Sequence, residues 1–227
     1  MPFTKRYTVS GVVCLVGGSL AVLLQWLVTP VDATLHVPAM LQQVAEHHEA
    51  MRWALLLDVP VMLVVPAVLY AGRLAGTGRS RLADVATALA FFPMIGSMVL
   101  LANDALLYVA STQPDRSAAV RLVHAFQNNL FVGGLTIFYL LTHLVAFPLL
   151  AVALRRARAV PVWAAVALAV WPVLEMAGYA SGVKAAAAVG YAALLVGYTA
   201  CAVRLVAEHR EAVPDLVTPT QTAPQVV

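Results

Sequence analysis

The sequence predicts an all-α integral membrane bundle of six transmembrane helices, both termini cytoplasmic. Three observations carry that reading. The 227 residues are 62% hydrophobic and 11% charged, with mean hydropathy +0.85. A soluble domain of this length cannot bury so much apolar surface, so lipid must solvate part of it. Six segments are apolar over the roughly 20 residues that a hydrocarbon core requires. Finally, ten of the fourteen Lys and Arg fall at one end of the alternating spans, the end that also carries both termini. The positive-inside bias makes that end cytoplasmic.

The first span, 8–29, follows Lys5 and Arg6, and its apolar run is too long for a signal-peptide core. It is expected to be an uncleaved helix. The external stretch 30–51 and the start of the next span contain "PAMLQQVAEHHEAMRW", helical in composition after Pro38. The stretch leads into the second span, 52–73, which carries Pro60 and Pro66. The third span, 85–109, holds Pro93, another site for a bend. Residues 110–128 include "DRSAAVRLVHAFQN", where Val120, Val123 and Phe126 share a helical face. Both external stretches read as short interfacial helices roofing the outer side. Spans at 129–153, 160–180 and 184–204 complete a domain of residues 1–211. The Pro- and Thr-rich remainder, 212–227, reads as a disordered cytoplasmic tail.

The polar residues inside these spans point to function. A carboxylate at membrane depth costs several kcal/mol and faces the bundle interior. Counted at about 1.5 Å per residue, Asp58, Asp104 and Glu175 share the outer third on three helices. Gln25, Asn103, Asn128, Asn129 and Lys184 fall at the same level. The stripes His47, Met51, Ala54, Asp58, Met62 and Ser97, Leu101, Asp104, Tyr108 have helical three- and four-residue spacing. So do Trp171, Glu175, Tyr179 on the fifth span and Lys184, Tyr191, Tyr198 on the sixth, while Tyr139 and His143 lie nearer mid-membrane on the fourth. One outward-opening cavity is expected, acidic at its waist and walled by aromatic and Met side chains. Its candidate catalytic residues are Glu175, Asp58 and Asp104. Its candidate substrate-binding residues are Trp171, Tyr179, Tyr108, Tyr139, Tyr191, Tyr198 and Met62.

Simpler readings stand beside these. Asp58 or Glu175 can pair with Arg52 or Lys184 as structural bridges. Trp171 and Tyr179 can belong to an interfacial aromatic belt. His143 reads as a hydrogen-bonded core residue rather than a haem ligand. Gly178 with Gly182, and Ala193 with Gly197, read as small-residue packing pairs. No metal and no cofactor is expected, because no HExxH, paired-Cys or dinucleotide pattern occurs. The Asp-rich motifs that hold magnesium diphosphate are absent too, and no basic stretch with interleaved aromatics suggests nucleic acid.

The segments "VAEHHEAMRWALLLDVPVMLVVPAVLYAGRLAG" and "LRRARAVPVWAAVALAVWPVLEMAGYA" resemble a group of small six-span membrane proteins common in actinomycete bacteria. The likeness is one of layout and covers most of the chain; it implies the fold and a membrane location, and little chemistry. The expected cavity, with acids on several helices, also resembles that of the small integral-membrane terpene cyclases of meroterpenoid pathways. That likeness implies protonation of an epoxide or terminal alkene by an intramembrane acid. Those cyclases often have seven spans, and none of their diagnostic motifs matches here residue by residue.

The expected function is a multi-pass cell-membrane enzyme using acid–base chemistry on a lipophilic, isoprenoid-type substrate. Glu175 is the expected acid, with Asp58 or Asp104 as partner base. A carboxyl in a low-dielectric pocket keeps its proton, and aromatic faces stabilise a developing carbocation. The alternatives are a small transporter or proton-coupled permease, and a non-catalytic subunit with a membrane-protein partner docked on its external segments.

Overall fold

The computed structural model describes residues 5–32, 34–76 and 78–212, and among these all regular structure is helical. Eight elements follow in chain order. They are α1 (Lys5–Val28), α2 (Val37–Glu46), α3 (His48–Leu74), α4 (Arg81–Ser111), α5 (Arg116–Gln127), α6 (Leu130–Arg156), α7 (Val162–Ser181) and α8 (Lys184–Ala212). Six of them, all but α2 and α5, are long and apolar enough to cross a membrane. The six long apolar helices expected are therefore present, with α8 continuing eight residues past its expected end. Arg204 pairs with Glu208 (3.1 Å) and Glu211 (3.8 Å) across that extension. The tail expected from residue 212 lies, after Ala212, outside the described residues.

The bundle has a face carrying the chain ends, where Gly11 of α1 meets Leu205 of α8. The opposite face is roofed by α2 and α5. A second apolar core lies there, with Val37, Leu41 and Val44 of α2 and Val123 of α5 against Met51, Ala54 and Leu107. The two long connections thus pack as structured lids over the ends of α3 and α4. Asp115 caps α5 by accepting from Ala118 N–H (2.9 Å), and Asn129 caps α6 through Phe131 N–H (3.0 Å).

Three of the six long apolar helices are irregular near the same level. A π turn at Val13–Gly17 interrupts α1, a break at Met62–Leu63 interrupts α3, and a break at Ser97 interrupts α4. Pro60 and Pro93 lie just before the last two, removing helical N–H donors. Gly18 lets α1 lie directly on the α3 break: an added Cβ would sit 2.8 Å from Val64 N and 2.9 Å from Leu63 C. Backbone cannot yield as a side chain can. Gly18→Ala is therefore expected to lower stability by ~1–3 kcal/mol, the usual cost of overpacking, read as reversible unfolding in mixed micelles.

Glycines also set the α7–α8 seam. Gly178 faces Ala187 N at 2.5 Å from a built Cβ, Gly190 faces Trp171 O at 2.9 Å, and Gly197 rests on Leu168. Gly182 differs from its expected packing role. It ends α7 in the left-handed region at φ 69°, where a residue without Cβ is favoured.

Candidate functional site

Glu175 sits on α7 one turn after Trp171 and is 1% exposed. The close approach at Gly190 brings the neighbouring Tyr191 of α8 onto it. Tyr191 O–H donates to Glu175 Oε1 at 2.7 Å, and Tyr139 O–H of α6 donates to the same oxygen at 3.1 Å. The other oxygen, Oε2, lies 2.9 Å from His143 Nε2. His143 itself is fully buried.

The imidazole's second nitrogen decides the proton count. His143 Nδ1 is 2.7 Å from the backbone carbonyl of Tyr139, and a carbonyl only accepts. Nδ1 therefore carries a hydrogen. One further proton then serves the Oε2–Nε2 contact, either as a neutral acid facing a neutral imidazole or as carboxylate and imidazolium. Either form satisfies every polar atom of the pair, which is the condition for keeping such groups in a dry core. The Tyr139 ring stacks on His143 (4.5 Å, 8°), while Trp171 meets Phe147 edge-on at 4.8 Å. These contacts lock the pair's orientation.

A cavity of about 90 Å³ opens on this group. Glu175, Tyr139, Trp171, Tyr179 and Tyr191 form one wall, and Asp104 with Gln25 stands in another. Val61 and Val64, flanking the α3 break, and Ser97 of the α4 break also line it. Irregular backbone at this depth is tolerated where it borders such a space. Gln25 Nε2 donates to Asp104 Oδ2 at 3.3 Å, and Asp58 neighbours both, 8% exposed, its Oδ1 buried without a hydrogen-bond partner. Gln25, Asp104 and Tyr179 also belong to a larger chamber beneath the roof, about 310 Å³, reached by Met40 of α2 and Gln127 of α5. Trp26 and Tyr179 connect that chamber to a rim cavity of about 230 Å³ holding Asp32 and Lys184. The three spaces are neighbours, with Tyr179 in the lining of each.

Comparison with protein-family models, curated proteins and solved structures returned no match. The geometry alone carries the reading.

The expected set of site residues divides. Glu175 and Asp104 share the deep cavity, with Asp58 beside Asp104 but outside the lining. Trp171, Tyr179, Tyr139 and Tyr191 line it; Met62, Tyr108 and Tyr198 do not. Met62 falls on the α3 break, which turns it outward to 50% exposure. Tyr108 lies under the roof, stacked on His48 at 4.3 Å. Tyr198 is two turns along α8 from Tyr191, inside the apolar core, with no partner for its hydroxyl. Tyr198→Phe is accordingly expected to leave thermal stability unchanged or raise it by about 1 kcal/mol, since it removes an unsatisfied buried hydroxyl. Clear destabilisation would place a bonding partner on that group.

The structural bridges entertained for the acids are also corrected. Arg52 pairs with Glu49 on the surface at 3.7 Å. Lys184 Nζ donates to the carbonyls of Leu27 (3.2 Å) and Thr29 (2.5 Å). Neither is the counter-group of Glu175; His143 is. No cluster of three or more metal-ligating side chains occurs among the described residues.

Proposed function

We propose that this protein is a membrane-embedded acid–base enzyme acting on a lipophilic substrate, with Glu175 as its proton donor. The observation that carries the reading is a buried carboxyl within hydrogen-bond distance of His143 Nε2 (2.9 Å) in the wall of a cavity. Tyr139 and Tyr191 share the free oxygen of Glu175 and line the same cavity. The single proton held between Glu175 and His143 is the one given to substrate, leaving a neutral imidazole and a carboxylate that the two phenols stabilise through their hydrogen bonds to Oε1. Asp104, paired with Gln25 across the cavity, is the acceptor for the final proton. At about 90 Å³ the cavity admits only the reacting end of a long molecule. Its Val, Leu and Met lining suits an alkene or similar apolar terminus, in keeping with an isoprenoid.

Breaks in α3 and α4 beside the cavity favour a second reading, a proton-coupled transporter. Against it, Phe147, Leu150, Leu154, Leu168 and Leu205 fill the core toward the face of the chain ends, all fully buried. They offer no polar path onward from Glu175. The distinguishing experiment places the protein in nanodiscs with isoprenoid alkenes and their epoxides in D2O. Mass spectrometry then reads deuterium that becomes bound to carbon. Incorporation dependent on Glu175 supports the enzyme. Its absence, with Glu175-dependent proton flux in liposomes, would replace it by the transporter.

The proposal includes a cell-membrane location with the roofed face outside and both chain ends in the cytoplasm. Positive charge at the end-bearing face supports it. Cys14 and Cys201 are both buried, so introduced cysteines can be read cleanly. An impermeant maleimide applied outside is expected to label a cysteine at Gln113 and spare one at Gly78. The reverse pattern would invert the orientation.

A further inference from the structure

The chamber beneath the roof has a chemical character of its own. Its donors are already engaged: Gln25 Nε2 gives to Asp104 Oδ2 (3.3 Å) and Gln127 Nε2 to Asn103 Oδ1 (3.1 Å). What remains are acceptors. Asp104 is the sole charged lining residue, and behind it the Oδ1 of Asp58 is buried with no partner. No basic side chain neutralises the two carboxyls, because the ammonium of Lys184 is held by the carbonyls of Leu27 and Thr29. Two adjacent acids in a poorly solvated place call for a cation, or must share a proton.

The rest of the wall narrows the kind of cation. Trp26 and Tyr179 stand edge-to-face at 4.9 Å, with Trp26 fixed by its Nε1–H donating to Lys184 O at 3.0 Å. Val31, Met40 and Leu100 supply its aliphatic lining, beside the polar Thr29, Asn103 and Gln127. A bare metal ion needs a close shell of oxygens, whereas this chamber is about 310 Å³, half of its lining is apolar or aromatic, and no group of three or more metal-ligating side chains occurs among the described residues. That volume lies at the lower end of small-molecule sites. Aromatic faces next to a carboxylate are the recognition chemistry of organic ammonium groups.

We propose that the roofed chamber binds the cationic head of a lipophilic amine or quaternary ammonium compound, with Asp104 as counter-ion, Asp58 as its support, and Trp26 and Tyr179 as the aromatic wall. This binding is independent of whether Glu175 turns a substrate over, so it is tested by binding alone. The full-length protein in zwitterionic nanodiscs is dialysed to equilibrium against benzyltrimethylammonium or its neutral carbon isostere, neopentylbenzene. Saturable binding of the cation is expected, at least tenfold tighter than of the isostere beyond lipid partitioning. Asp104→Asn is expected to weaken it at least tenfold, with recovery in Asp104→Glu, and Trp26→Leu to weaken it several-fold. If Asp104→Asn does not fold, the cation-to-isostere ratio on the unmodified protein decides. No saturable uptake, or equal binding of the isostere, would overturn the proposal. So would equal protection against thermal unfolding by sodium chloride at the same concentration, which would mark an inorganic-ion site.

Discussion

Glu175→Gln is expected to abolish carbon-bound deuterium incorporation while leaving the protein folded. The amide preserves the contacts at the site. Its oxygen still accepts from Tyr139 and Tyr191, at the positions where they now lie 3.1 and 2.7 Å from Oε1. Its N–H still donates to the bare Nε2 of His143, which stands 2.9 Å from Oε2. What disappears is the transferable proton. Turnover is expected to fall by the ~10²–10⁴ associated with lost general acid–base catalysis, with a melting temperature close to that of the unmodified protein. Wild-type turnover in a folded Glu175→Gln protein would remove Glu175 from the chemistry. Loss of turnover in proportion to loss of folded protein would make the residue structural.

The largest stability effect is expected at its partner. His143→Leu leaves a carboxyl at 1% exposure with one oxygen facing hydrocarbon. Breaking a buried pair from one side costs ~3–5 kcal/mol, because the remaining group keeps its desolvation penalty. Adding Glu175→Leu to His143→Leu is expected to restore part of that loss. The double variant would then be more stable than the two single changes predict by addition. Strict additivity in reversible unfolding would show that the two side chains do not depend on each other.

The bundle was legible in the sequence because lipid imposes a simple rule. A helix must stay apolar for about 20 residues, and α6, expected over 129–153, runs Leu130–Arg156. Pro60 and Pro93 likewise announced the two breaks they precede. The partner of Glu175 was not legible. Counting along α6 places His143 near mid-membrane, apparently deeper than Glu175. The first turn of α6 rises free of the bundle, however: Leu130 is 92% and Phe131 72% exposed, and Gly133 and Gly134 have open space where a Cβ would be. Depth counted from that end is therefore too great by about two turns. A linear count assumes that every helix starts at the same level, and tertiary packing sets those levels instead. Helical stripes failed in the same way. Met62 leaves its stripe at a break, and Tyr198 keeps the face of Tyr191 but sits about 10 Å further along the axis at the standard rise.

Everything proposed for the deep cavity depends on a single proton between Glu175 Oε2 and His143 Nε2. Nitrogen-15 NMR of histidine-labelled protein in lipid measures it, with the His143 signals assigned by difference from His143→Asn. The expected spectrum shows Nδ1 protonated throughout the neutral range, and an Nε2 resonance that moves when Glu175 becomes Gln. An Nδ1 without hydrogen, or an Nε2 signal indifferent to that substitution, would contradict the shared proton and with it the assignment of Glu175 as the donor.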